Sequence, residues 1–162
     1  HGLMLLLMGC EQAQGYGIAK PMPADDLPGW LSAYTPNQEW LSCGNKVRTE
    51  KETKIRLFRL ITEHWKNRFV SYIQSSSEDN QYEPIMSEQH DHCGRWINRA
   101  HKDNLFEQDS LKHLERAHNN FHFIAQAIHF NYQEGDIDKA RGSLEGLITA
   151  YNEMSNVVGM CD

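Results

Sequence analysis

Beyond residue 50 the apolar positions of this chain recur at intervals of three and four, the period of helices that bury one face. Between Leu111 and Ala125 the residues Leu111, Leu114, His118, His122 and Ala125 form a single stripe, apolar except for its two histidines, and Ser110 stands ahead of it as a cap. Near the end, Ile137, Ala140, Leu144, Leu147, Tyr151, Met154 and Val158 repeat the same spacing, after Gly135 as a stop and Asp136 as a fresh cap. From Lys51 to Gln74 no Gly or Pro interrupts the run, and Leu57, Leu60, Ile61, His64, Arg68 and Val70 approximate one helical face that includes His64. A polar stretch from Ser75 through Pro84 ends that helix, and a shorter one is predicted to begin near His90 and carry Trp96 and Ile97. Four helices of this kind predict an all-α fold, a four-helix bundle.

Residues 1–42 follow a different pattern, rich in Gly, Pro and Trp. They predict a short helical run, an extended segment over Gly15–Ala19 and a turn at Pro21–Pro23. The organisation expected is a separate segment over 1–42, a linker over 43–54 and the bundle over 55–162. A chain of 162 residues suits one domain with a short addition. Its formal charge of −6, with no basic face, gives nucleic-acid binding no support and suits a cytosolic protein. The most apolar run, Met4–Met8, is too short for the roughly 20 residues that cross a bilayer and has no basic leader. The four cysteines, Cys10, Cys43, Cys93 and Cys161, are widely spaced, with no pair separated by two residues, which argues against a disulfide framework or an all-cysteine zinc ribbon.

The candidate chemistry lies in the histidines. His118 and His122 are one helical turn apart, so their imidazoles leave the same face and reach a single ion. Two imidazoles in an apolar stripe need partners, because an unpaired buried polar group costs roughly 1–3 kcal/mol. With His64 and the segment Asp91–Cys93 they read as one zinc site. His90, His92, His101, His113 and His129 read as solvated or packing groups and Cys161 as incidental, while Trp65 and Trp96 read as core anchors. A di-iron bundle is disfavoured: the last helix has no histidine, and Glu145 and Glu153 lie off its apolar seam.

A histidine in the first helix, a ligand group ahead of Gly94-Arg-Trp96-Ile97, and His118 with His122 in the third helix together resemble the chemoreceptor zinc-binding (CZB) domain. The resemblance implies a four-helix bundle, dimeric, that holds zinc by three His and one Cys and regulates chemoreceptors and cyclic-di-GMP enzymes. His64, His118 and His122 fall on the family's histidine positions. The family spacing Cys-x-x-Gly-x-Trp places Asp91 where its thiolate stands, with Cys93 two residues further on. Either Asp91 ligates, in a site of three His and one Asp, or a shift at the helix start brings in Cys93. On a regular helix two residues turn a side chain by about 200°, so both should not face the ion.

A second resemblance covers the first segment. His1–Cys10 followed by Gln14-Gly-Tyr16 and Pro21-Met-Pro23, with Leu27–Trp30 and Trp40, is similar to the end of an EAL cyclic-di-GMP phosphodiesterase domain. It implies that residues 1–42 are a βα remnant of a barrel, and that the residues that bind metals and activate water lie upstream of this stretch. The chain by itself is then not an enzyme. The expectation is a regulatory zinc sensor within a larger signalling protein, metal occupancy or oxidation tuning an attached EAL phosphodiesterase, with neighbouring EAL or other signalling domains and a second copy of itself as partners. The alternative is a dimerisation bundle whose metal is purely structural.

Overall fold

A computed structural model of the chain describes residues 2–10, 12–75, 84, 86–87 and 91–159. Every regular element among the described residues is helical, without a β-strand: α1 (Gly2–Leu7), a 3-10 turn at Ala24–Asp26, α2 (Leu27–Ala33), α3 (Gln38–Gly44), α4 (Glu50–Gln74), α5 (His92–Lys102), α6 (Gln108–Gln133), α7 (Ile137–Gly142) and α8 (Leu144–Gly159). The chain divides into two compact units, His1–Leu57 and Phe58–Asp162, with the division inside α4.

In the first unit α1 and α3 pack together, and Gly2 lies under the Trp40 ring where a Cβ would collide. Leu3, Leu7 and Cys43 are buried. Asn37 caps α3 by accepting from the Trp40 N–H at 3.0 Å. Thr49 and Glu52 form a reciprocal box at the start of α4: the Thr49 N–H donates to Glu52 at 2.6 Å, and the Glu52 N–H to the Thr49 hydroxyl at 3.1 Å. The extended segment expected at Gly15–Ala19 is instead a turn, closed by the Ile18 and Ala19 N–H groups on the Gly15 carbonyl. The strand expected of a βα remnant is likewise absent among the described residues. A lone strand has no neighbour for its backbone groups, whereas a helix satisfies them within itself.

In the second unit α6 is the element against which α5, α7 and α8 pack. Its predicted stripe is buried at every position, with Phe121, Ile128 and His129 added to it. The helix starts earlier than the sequence suggested: Glu107 occupies the cap position and Ser110 lies in the first turn. The long last helix is two, broken at Ser143, which leaves Ala140 on α7 and Leu144, Leu147, Ala150, Met154 and Val158 on α8 all buried. Gly135 ends α6 as predicted, at φ 86°, with the Asp136 N–H reaching back to the Asn131 carbonyl.

The buried face of α4 is not the one read from the sequence. Phe58, Thr62, Phe69 and Ile73 are buried, with Trp65 between them, whereas Leu57, Leu60, Ile61, His64 and Val70 are only half-buried and Arg68 is exposed. Thr62 satisfies its hydroxyl on the Phe58 carbonyl at 2.6 Å, which lets a polar residue occupy a core position. Trp96 anchors α5 against Phe58, ring centroids 4.6 Å apart. Phe121, buried at the meeting of Trp65, His122 and Tyr151, joins α4, α6 and α8. Phe121→Ala is expected to lower unfolding free energy by about 3–5 kcal/mol, read from the urea midpoint, because the ring's removal opens a cavity.

Candidate metal centre

The site begins at the N-terminus of α5. Asp91 is its cap residue, extended at φ −71° and ψ 168°, and its Oδ1 accepts from the Gly94 N–H at 2.5 Å. That bond fixes the carboxylate and leaves Oδ2 directed at α6. There, Oδ2 lies 3.0 Å from Nε2 of His122 and 3.5 Å from Nε2 of His118. The two histidines are brought side by side by their four-residue spacing, ring centroids 4.6 Å apart. All three side chains are buried, Asp91 at 1%, His118 at 3% and His122 at 0% exposure. Their ligand atoms lie within 4.8 Å of one another, a group that could hold a metal ion.

Two nitrogens in this cluster, Nε2 of His118 and Nδ1 of His122, are buried without a hydrogen-bond partner. A divalent ion among the atoms that face one another would satisfy Nε2 of His118, so the donor set fits a metal. Burial on its own opposes ionisation of Asp91, but the approach of His118 and His122 and the Gly94 N–H outweigh it and hold the carboxyl well below the usual carboxylate range. The cluster therefore presents a carboxylate anion to two imidazoles.

Of the residues the sequence nominated, Asp91, His118 and His122 come together, and Cys93 and His64 fall outside that group. Cys93 is buried on the first turn of α5, where burial first and then the neighbouring Asp91 charge push its thiol pKa well up. His64 is half-buried on α4, and desolvation, then Arg68, and also His92 push its pKa down. The neighbouring Trp65, roughly 100° further round α4, lays its ring 4.9 Å from that of His122. Thus α4 meets the cluster through Trp65, with His64 on the adjoining flank.

Among the remaining histidines, His129 is buried beside Tyr72, whose hydroxyl lies 3.5 Å from its Nε2, and His101 pairs with Glu115 at 2.7 Å across α5 and α6. His92 and His113 are exposed, while His90 and Cys161 lie outside the described residues. No helix among the described residues is long and apolar enough to cross a membrane. No family model matches the chain, and comparison with curated proteins and with solved structures likewise finds no match.

Proposed function

We propose that this chain is a regulatory metal-binding module, with zinc as its metal, bound through Asp91, His118 and His122. The observation that carries this reading is the buried cluster itself: one carboxylate faces two imidazoles, and two of the ring nitrogens lack partners. A tetrahedral ion takes a fourth donor, and we assign it to His64, which α4 holds one residue from the Trp65 ring against His122. The resemblance to the chemoreceptor zinc-binding domain supplies the context, a bacterial cyclic-di-GMP signalling protein in which metal occupancy tunes an attached EAL phosphodiesterase. In that reading the chain performs no catalysis of its own, because four protein donors close the sphere to an activated water.

Elemental analysis of purified protein tests it. The expected result is about one zinc per chain in the wild type and almost none in His118→Ala or His122→Ala. His64→Ala should bind more weakly without losing the metal; affinity equal to wild type would give the fourth position to water. Wild-type protein that takes up no divalent metal after reconstitution would refute the proposal.

A second reading, a dimerisation bundle with a purely structural metal, draws on Phe123 and Phe130, which are 70% and 62% exposed and seven residues apart on α6. It predicts a dimer in sedimentation that Phe123→Glu dissociates without loss of metal.

A further inference from the structure

The arrangement at the start of α5 bears on which ions the site accepts and what can release them, an inference that rests on the metal reading above. We propose that the centre is free of sulfur: a nitrogen and oxygen site that takes first-row divalent ions such as zinc and cobalt in preference to thiophilic ions such as cadmium, and that does not release its metal when thiols are oxidised.

The argument starts from the two oxygens of Asp91. Oδ1 is committed to the Gly94 N–H, and this cap fixes the carboxylate so that Oδ2 points between His118 and His122. The Asp91 carboxylate therefore occupies the side of the cluster that α5 supplies. Cys93 lies within the first turn of the same helix; its thiol hydrogen-bonds the Asp91 side chain, but its sulfur is not among the ligand atoms that lie within 4.8 Å of one another. For that sulfur to stand between the histidines, the Asp91 carboxylate that already faces both would have to give up its place. Such an exchange would take from the Gly94 N–H its acceptor, at the start of a helix whose Trp96, Ile97 and Ala100 are buried. The position facing both imidazoles is thus held by the carboxylate rather than by the thiol beside it.

The donor set decides the ion. Imidazole and carboxylate suit zinc, cobalt, iron(II) and nickel, whereas thiolate ligands favour softer ions. Oxidation of a cysteine changes a metal site by removing a sulfur donor; here no bond between the ion and the protein runs through sulfur. The buried thiol of Cys93 fills space beside Asp91.

Cobalt(II) is the probe. Metal-stripped full chain is titrated with cobalt(II), in parallel with Cys93→Ala and Cys93→Ser, and the ultraviolet and visible spectrum is recorded. The expected result is visible d–d bands without the intense near-ultraviolet band of thiolate-to-cobalt charge transfer, the same in all three proteins. The zinc form should lose no metal to a zinc-responsive dye after hydrogen peroxide treatment, and cadmium at equal concentration should not displace the zinc. A charge-transfer band in the wild type that disappears in both Cys93 variants would overturn the sulfur-free assignment while leaving the metal site standing. Failure of both cobalt(II) and zinc to bind would overturn the metal reading, and this inference with it.

Discussion

Asp91→Ala is expected to abolish metal binding and to lower the stability of the metal-free protein by about 1–3 kcal/mol, the cost of leaving a buried hydrogen-bonding group without its partner. Three consequences follow from one truncation. The α5 N-terminus loses the acceptor for the Gly94 N–H, a cap interaction of about 1 kcal/mol. His122 loses the oxygen at 3.0 Å and His118 the one at 3.5 Å, which leaves two imidazoles in a dry core. The ion loses its anionic donor, one of the three side chains that form the cluster. Asp91→Asn separates these effects, since an amide oxygen still caps α5 but brings no charge. Urea unfolding should place Asp91→Asn between the wild type and Asp91→Ala, and calorimetric titration should show that neither variant holds zinc as the wild type does. An Asp91→Ala protein with unchanged zinc affinity and urea midpoint would remove Asp91 from the site.

The same carboxylate sets a pH dependence. Because the folded state holds the Asp91 carboxyl below its ordinary value, its contribution is fully present above the unfolded carboxyl's value of about 4 and is lost as pH falls toward the folded one. The metal-free wild type should therefore lose stability on acidification below about pH 4 more steeply than Asp91→Asn. Equal slopes in urea titrations across that range would contradict the assignment.

The helices were more legible in the sequence than the face each one buries. On α6 only one stripe is apolar, so Leu111, Leu114, His118, His122 and Ala125 could be read as buried from spacing alone. On α4 two flanks carry large apolar residues, and Thr62 hides the true one by looking polar; its hydroxyl bond to the Phe58 carbonyl is invisible to periodicity. That is why His64 was placed on the buried face, whereas Trp65 is the α4 side chain that meets His122. The choice between Asp91 and Cys93 depended on where α5 begins, a boundary that spacing locates to within a residue or two. Once Asp91 is the cap, its side chain turns back over the first turn and meets α6, and Cys93 is carried into the helix. The break at Ser143 left no sign in the apolar pattern, because Ala140, Leu144 and Leu147 remain buried on either side of it.

Zinc is expected to raise the melting temperature by roughly 10–20 °C when free metal exceeds the dissociation constant by a hundredfold to a thousandfold, equivalent to about 2.7–4.1 kcal/mol. The size of the effect depends on what the metal-free site already satisfies. Asp91 keeps both of its oxygens engaged without metal, on the Gly94 N–H and on His122, so α5 retains its cap and the unit keeps a packed core around Phe69, Phe121 and Leu147. Chelation should therefore leave the far-ultraviolet circular dichroism close to that of the zinc form while lowering the melting temperature. What the ion adds is a partner for the buried Nε2 of His118. A site that is folded yet incomplete can respond to metal by a change in order at α5 and at the flank of α4 that carries His64. Amide hydrogen exchange with and without zinc locates that change: slower exchange confined to the first turn of α5 and the middle of α4 fits a sensor. Collapse of all helical signal on chelation would instead make the metal a structural requirement of the fold.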